Sequence, residues 1–351
     1  MTRIISFTEA INEALFIAMN NDPKVICYGL GVDDPKNIFG TTKGLQETFG
    51  KERVFDTPTS ENTITGMSIG LGICGYRSIM VHQRLDFFLL AMDQLVNGAA
   101  KWRYMFGGIY NVPITIRLIL GRGWGQGPTH SQSLQSWFAH IPGLKVVMPS
   151  SPANAKGLLL ESIFDDNPVV FLEHRWLHNQ LGHVPEDDYR VQIGKPQLRR
   201  KGSDITLISM SYMNLEAEKV AKFLIKKNIS CEILDLCSIN PIDWKVIYES
   251  VTKTGRVIVL DTASETGSFS GEVISRISIN CFDQLKSPPK RVASPDTPCP
   301  TSFGLTKQFY PEAKEIANVV KEIFDIDYDV SELDDNSLPH DIPGEWFKGP
   351  F

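Results

Sequence analysis

Short apolar runs of strand type alternate with longer runs of helical apolar spacing along most of this 351-residue chain. Such alternation favours a mostly parallel sheet with helices on both faces, which places the chain in the α/β fold class. A capping box from Ser6 to Glu9 predicts the start of the first helix, and a long helix is predicted from Asp86 to Tyr104. The predicted strands lie at 25–28, 77–81, 112–120, 145–148, 169–173, 205–209, 231–236 and 256–261.

A polar and charged stretch between His174 and Gly202 interrupts the alternation once. A chain of this length can bury two cores, so we expect two α/β domains, each built on a mostly parallel sheet with helices on both faces. The predicted divisions are a first domain at 1–185, a linker at 186–202, a second domain at 203–326 and a tail at 327–351.

The tail is acidic at first and ends in aromatic residues, Trp346, Phe347 and Phe351. An acidic tail can be disordered, but large aromatic side chains are costly to leave in water. We therefore expect the tail to lie as an arm on a partner chain.

The stretch from Phe55 to Gly75 carries one carboxylate, Glu61, at the start of a predicted helix of small and apolar residues. Thr59 and Ser60 before it are good N-cap residue types. Glu61 can be a plain charge that complements the helix dipole, or it can be a functional group. Four glycines follow it within the helix pattern, which indicates that another backbone or a ligand comes close.

Ligands of open parallel sheets gather where strands end, and three loops hold that position here, at 56–61, 82–87 and 121–132. The third loop is rich in glycine and delivers His130; it can serve a ligand or be a mobile surface loop. His82 and Gln83 follow a buried strand directly, and the next residue, Arg84, can equally be a structural ion-pair partner. His174 and His178 lack acids or cysteines at metal-ligand spacing, so we expect them at the surface or in the linker.

Composition excludes several classes of protein. The net charge is −6 and no basic tract occurs, so we expect no nucleic acid partner. No apolar run has membrane-spanning length, and the N-terminus lacks the apolar core of a signal peptide. Six scattered cysteines without C-x-x-C spacing fit buried thiols in a reducing cytoplasm. Phosphate-loop, dinucleotide-binding and α/β-hydrolase motifs are missing from the sequence.

Four segments resemble the β subunit of the E1 component of 2-oxoacid dehydrogenases, the group that includes the pyruvate, branched-chain and acetoin enzymes. They are DTPTSE at 56–61, AMDQLVNGAAKWRYMFGG at 91–108, THSQSLQSW at 129–137 and HIPGLKVVMPSSPANAKGLL at 140–159. The resemblance covers about residues 1–325. It implies a pyrimidine-binding domain followed by a transketolase C-terminal domain, as in other transketolase-like thiamine diphosphate enzymes.

The resemblance also implies roles for particular residues. Glu61 matches the glutamate that hydrogen-bonds N1′ of the cofactor's aminopyrimidine, and Phe87 matches the aromatic residue that stacks on that ring. His130 matches the active-site histidine, which positions substrate where a lipoyl arm enters. A structural potassium ion is expected on backbone carbonyl groups at positions matching Ile114, Ser162, Asp165 and Asn167.

The family holds magnesium and the diphosphate with a G-D-G motif that this sequence lacks. That motif belongs to the α subunit, so the resemblance implies an α2β2 assembly with a β–β dimer and active sites between α and β. The acyl group would pass to a lipoyl acyltransferase.

Some positions depart from the family pattern. His82, Gln83 and Arg122 would suit a polar or anionic small-molecule substrate better than pyruvate. The leading prediction is a 2-oxoacid dehydrogenase E1 β subunit, and the alternative is a subunit of a split transketolase-like or decarboxylase-type enzyme with a polar or sugar-like substrate. A third hypothesis, a non-catalytic scaffolding subunit, is disfavoured because Glu61, Phe87 and His130 occur together.

Overall fold

A computed structural model describes residues 2–121, 125–334, 339, 342 and 344–347. The strands are β1 (Thr2–Ser6), β2 (Val25–Gly29), β3 (Val54–Asp56), β4 (Arg77–His82), β5 (Ile114–Leu120), β6 (Lys145–Val147), β7 (Val169–His174), β8 (Leu181–Pro185), β9 (Gln197–Arg200), β10 (Ile205–Ser209), β11 (Cys231–Asp235), β12 (Ser238–Asn240), β13 (Val257–Ser264) and β14 (Lys290–Ser294). The α-helices are α1 (Phe7–Asn21), α2 (Leu45–Phe49), α3 (Glu61–Ile73), α4 (Leu85–Phe88), α5 (Ala100–Met105), α6 (Gln135–Ala139), α7 (Pro152–Ile163), α8 (Met213–Leu224), α9 (Trp244–Thr254), α10 (Phe269–Asn280), α11 (Phe303–Thr306) and α12 (Ala313–Phe324).

The first sheet has seven strands in the order β12-β6-β7-β5-β4-β2-β3. All its pairs are parallel except β12 with β6. Apolar side chains pack against both faces, Ile79 and Val81 on one side and Met80 on the other. The predicted α/β class is therefore confirmed, and the loops that follow β3, β4 and β5 meet at one edge of the sheet.

The second sheet has the order β14-β13-β10-β11-β9 and is parallel except for β9. β9 lies inside the predicted linker, so part of that segment belongs to the second sheet. β12 follows β11 of the second sheet in sequence, but it pairs with β6 of the first sheet. One strand that lies between strands of the second sheet in sequence, β12, thus belongs to the first sheet.

The first helix begins as predicted, because Ser6 and Glu9 form a reciprocal capping box. The predicted long helix from Asp86 to Tyr104 is wrong as a regular element. It is divided into α4, a 3₁₀ turn at Leu89–Ala91, a π-helical stretch at Gln94–Ala99 and α5. Gly98 lies in the π-helical stretch, where an added Cβ would stand 2.7 Å from Cδ1 of Ile69. The irregular helix therefore packs closely on α3.

Gly66 and Gly72 of α3 lie in close contact with other parts of the chain, whereas Gly70 does not. A Cβ on Gly72 would stand 3.2 Å from Cα of Val112, so another backbone does come close there, as predicted. A Cβ on Gly66 would meet the Gln94 side chain at 3.3 Å. A Cβ on Gly70 would meet nothing within 4 Å.

The described tail residues lie on their own chain. Phe347 is only 8% exposed, and its ring centroid is 6.2 Å from that of Trp176. Nε1 of Trp346 donates to the carbonyl oxygen of Trp176 at 3.4 Å. These two residues therefore pack on the 3₁₀ turn after β7. The arm on a partner chain stays a prediction, and Phe351 is outside the described residues. Among the described helices, none has the length and apolar character needed to cross a bilayer.

Candidate active site

Glu61 is the first residue of α3, directly after the loop that follows β3. Its side chain is 4% exposed, yet no described residue donates a hydrogen bond to its carboxylate. The helix dipole stabilises a negative charge at this position. A buried carboxylate with open acceptor sites is suited to share a proton with a ligand that enters the loop.

Asp56, which sequence reasoning left without a role, organises this loop. Its carboxylate accepts hydrogen bonds from the backbone N–H groups of Gly31 at 3.2 Å and Val32 at 2.5 Å. Burial raises the pKa of Asp56, although these hydrogen bonds oppose the shift. Thr57 adds two hydrogen bonds to the carbonyl of Gly29. The first two residues of the DTPTSE motif are therefore structural, and they fix the path of the chain to Glu61.

The rings of Phe87, in α4, and His130, in the loop after β5, contact each other. Their ring centroids are 5.1 Å apart at an interplanar angle of 87°, and Phe87 keeps 43% of its surface exposed. Gln132 supports this contact, because its backbone N–H and side-chain amide both donate to Oδ1 of Asp86, at 3.3 and 2.8 Å. Thr129 Oγ1 lies 3.0 Å from Nδ1 of His130. The structure therefore brings together two of the three residues that the motifs singled out.

Two of the predicted pocket residues, His82 and Gln83, lie in the described part of the chain, and they differ in exposure. His82 is 1% exposed and its ring meets that of Phe88 edge to face at 5.1 Å. Burial lowers the pKa of His82 to about 4, so the ring is neutral near pH 7. Gln83 is exposed and lies against Gly31 on the other side of the strand. Arg122 is outside the described residues.

For Arg84, the sequence left a role in the loop after β4 and a structural ion pair equally open. Its side chain is 7% exposed, and its Nη2 donates to the side-chain carbonyl of Gln126 in the loop that carries His130. A histidine and an arginine directly after an apolar strand pattern were the available signal in the sequence. Burial lowers its pKa, although Asp86 opposes that shift.

The predicted potassium ligands lie at the opposite edge of the first sheet. Ile114 begins β5, and Ser162, Asp165 and Asn167 surround the turn between α7 and β7. The carbonyl of Asp165 already accepts a hydrogen bond from Nη1 of Arg77 at 3.0 Å. The potassium site stays a prediction. In the described part of the chain, no three His, Cys, Asp or Glu side chains are grouped as metal ligands.

His174 and His178 are buried, which contradicts the expectation that they lie at the surface or in the linker. Nε2 of His178 is 3.3 Å from Oε2 of Glu173, and Glu173 also receives two hydrogen bonds from Arg117, at 2.6 and 3.0 Å. Burial opposes the ionisation of Glu173, but Arg117 and His178 outweigh it and lower its pKa. Because this segment is rich in charged residues, the sequence held no sign that Arg117, Glu173 and His178 form a buried network.

Two family models match this chain. The transketolase pyrimidine-binding domain matches residues 3–180, and the transketolase C-terminal domain matches residues 194–316. The β subunit of acetoin:2,6-dichlorophenolindophenol oxidoreductase from Bacillus subtilis is 39% identical and aligns over 92% of this chain and 98% of its own length. The pyruvate dehydrogenase E1 component subunit beta of the same organism is 37% identical, and the alignment covers 92% of this chain and 99% of that protein.

The chain belongs to the family of 2-oxoacid dehydrogenase E1 β subunits. The 2-oxoisovalerate dehydrogenase subunit beta 2 of Arabidopsis thaliana, 42% identical over 89% of this chain and 87% of its own length, is another relative in this family. A solved structure described as a split gene transketolase, inactive beta4 tetramer, has a TM-score of 0.72 and 19% identity, and covers 92% of this chain and 99% of that one. At that identity the likeness concerns the fold alone, and it agrees with the two α/β domains.

Proposed function

We propose that this E1 β-type chain is one subunit of a thiamine diphosphate-dependent 2-oxoacid dehydrogenase, which decarboxylates a 2-oxoacid and transfers the acyl group to a lipoyl domain. The observation that carries the proposal is the buried Glu61 carboxylate, which has no hydrogen-bond donor among the described residues. A structural helix-start charge needs no burial, whereas a group that shares a proton with a ligand benefits from a site that excludes water.

The residues present fit the proposed cofactor. When bound, thiamine diphosphate supplies the nucleophilic carbon and the electron sink for decarboxylation. Glu61 would hold a proton between its carboxyl oxygen and N1′ of the aminopyrimidine. Phe87 offers an exposed ring face for that heterocycle, because its contact with His130 uses only part of its surface.

His130 would act on the substrate side of the same site. Its Nδ1 lies beside the Thr129 hydroxyl, so Nε2 is the ring nitrogen available to substrate. Gln132 and Asp86 hold the loop that carries this ring. We therefore assign His130 to orienting the 2-oxoacid or the acyl acceptor by hydrogen bonding.

The diphosphate and magnesium would be held by an α-type subunit, since this sequence contains no G-D-G motif. Exposed apolar side chains at the end of α5 and just after it, Tyr104, Met105 and Ile109, fit a surface that another subunit covers. We propose an α2β2 assembly that includes a β–β contact. The lipoyl domain that accepts the acyl group would belong to a lipoyl acyltransferase.

Co-purification with an α-type subunit encoded near this chain, followed by an assay of 2-oxoacid decarboxylation with an artificial electron acceptor, tests the proposal. We expect activity that requires both chains, thiamine diphosphate and magnesium, together with acylation of a lipoyl domain. Transfer of a two-carbon unit to an aldehyde, with no acylation of a lipoyl domain, would instead identify a transketolase-like enzyme.

A further inference from the structure

The loop after β5, which carries His130, contacts the second domain on both sides of that histidine. Before it, an added Cβ on Gly127 would stand 2.3 Å from Oγ1 of Thr301, which lies between β14 and α11. After it, Gln135 begins α6, and its Nε2 donates to Oδ1 of Asp261 in β13 at 2.6 Å. The second domain therefore meets the chain shortly before the histidine and shortly after it.

Asp261 is held in place by its own domain. It is fully buried, and its carboxylate also accepts hydrogen bonds from the backbone N–H groups of Ala263 and Ser270, each at 3.1 Å. Ser270 is the second residue of α10, so the carboxylate stabilises the N-terminal end of that helix. The acceptor that Gln135 uses is thus fixed by the strand and the helix of the second domain.

Gln135 is equally buried, so its amide depends on acceptors inside the protein. The same Nε2 lies 3.2 Å from Oγ1 of Thr262, the residue after Asp261. Both acceptors belong to the second domain, 126 and 127 residues further along the chain. A buried donor that loses its acceptor costs free energy, which favours the arrangement in which α6 stays joined to β13.

Packing does not fill the space between the loop and the second domain. A cavity of about 550 Å³ lies there, with Ser133 and Leu134 on the side of the loop and Thr262 and Ser294 on the other side. Atoms that face open space gain no dispersion energy from partners across it. The hydrogen bond of Gln135 therefore joins the two domains beside a region where side-chain packing cannot hold the loop.

We propose that the second domain positions His130 through the hydrogen bond between Gln135 and Asp261, which makes both of them positioning residues of the active site. Gln132 holds the same loop on Asp86 of the first domain. Without the Gln135 bond the loop is tied to the first domain alone, and the imidazole loses its defined place. This inference rests on the proposed function, in which His130 orients the substrate or the acyl acceptor.

Hydrogen–deuterium exchange of the full chain tests the anchor without an assay of activity. Gln135→Met keeps the length of the side chain and removes the donor. We expect the backbone amides of 125–134 to exchange about tenfold faster, because the loop opens more often, while both cores stay protected. If Gln135→Met does not fold, Gln135→Asn, whose amide is one methylene too short to reach Asp261, gives the same readout.

Thr254→Val is the matched control. It removes a buried hydroxyl that lies 2.8 Å from Oγ1 of Thr206, near the start of β10 and away from the loop. The control loses a buried hydrogen bond of the same domain, so a general loss of stability would appear in both variants. We expect exchange of 125–134 in Thr254→Val at the wild-type rate.

A double-mutant cycle in the complex with the α-type subunit tests whether the anchor acts through His130. Gln135→Met should lower kcat about tenfold, because a small displacement of a positioned group is costly in rate. In a His130→Gln background the same change should lower kcat by less than about twofold, since the group that it positions is already absent. Thr254→Val should keep the wild-type kcat.

Unchanged exchange of 125–134 in the Gln135 variants would overturn the inference. Losses of kcat that multiply in the double variant would overturn it as well, because they would show that Gln135 acts independently of His130. Faster exchange of 125–134 in an enzyme that decarboxylates no 2-oxoacid would leave the anchor standing and contradict the proposed function.

Discussion

The imidazole of His130 meets the ring of Phe87 edge to face, with centroids 5.1 Å apart. The two residues are 43 positions apart in sequence, 130 minus 87, and they follow different strands of one sheet. The hydrogen bonds from Gln132 to Asp86 join α4 to the loop after β5, one residue before Phe87 and two residues after His130. One side-chain anchor therefore fixes the relative placement of an aromatic surface and a titratable group.

Gln132→Leu should lower kcat of the assembled enzyme by about tenfold or more while the chain stays folded. The change removes the side-chain bond to Asp86, so His130 loses its fixed position, and small displacements of a positioning group are costly in rate. Steady-state kinetics with a 2-oxoacid and circular dichroism check this. Gln284→Leu, at an exposed glutamine, is the matched control. Equal rates for both variants would contradict the role of the Gln132–Asp86 hydrogen bond in positioning His130.

The buried Arg117–Glu173 pair should matter for stability. Glu173→Gln leaves the Arg117 guanidinium in the core without its carboxylate, and breaking a buried pair from one side costs about 3–5 kcal/mol. Urea denaturation measures the free energy of unfolding. Glu272→Gln breaks an exposed pair with Arg276 and should change the free energy of unfolding by less than about 1 kcal/mol. If Glu173→Gln lowers the free energy of unfolding by less than about 1 kcal/mol, the buried Arg117–Glu173 pair contributes little to stability.

The packing of the tail predicts the effect of Phe347→Ala. The side chain fills space against Trp176 and under the Arg175 guanidinium, 5.4 Å from its ring centre, so truncation should lower stability by about 3 kcal/mol. Phe282→Ala removes a ring that is 74% exposed and serves as the control. Equal thermal unfolding temperatures for the two variants would mean that the tail does not pack on its own chain in solution.

The unfolding free energy should fall in acid, in part because of His82. Burial lowers its pKa from 6.5 to about 4, so below about pH 6.5 the unfolded chain binds a proton that the folded chain does not. This histidine therefore removes up to about 1.4 kcal/mol of stability per pH unit between pH 6.5 and 4. His82→Phe should flatten the profile relative to the wild type, and His183→Phe, at an exposed histidine, should not. Parallel profiles for His82→Phe and wild type would argue against a neutral buried His82.

Elements that are buried on both faces could be predicted from the sequence. β10 has the predicted bounds, 205–209, because a run of branched residues there packs into the core on both sides. β9 and β12 were missed, since they have four and three residues and owe their pairing to distant strands. Local pattern holds no signal for a strand that crosses from one domain into the sheet of the other.

For the site, residue types and motifs indicated Glu61, Phe87 and His130, but the partners that position them were hidden. The Asp86–Gln132 bond spans 46 residues and depends on β4 and β5 being neighbours. The burial of His174 and His178 depends equally on tertiary packing, on Tyr212 of the second domain and on Phe7 respectively. From the polar sequence around them, both histidines were predicted to lie at the surface or in the linker.

The most direct measurement compares Glu61→Gln with Glu47→Gln in the complex with the α-type subunit. Glu47 is an exposed glutamate in the first turn of α2, so its change matches the chemistry and the helix position. Decarboxylation of a 2-oxoacid at saturating thiamine diphosphate should fall by about 100-fold or more for Glu61→Gln and stay at the wild-type rate for Glu47→Gln. A Glu61→Gln complex that keeps the wild-type rate would contradict the proton-sharing role of Glu61.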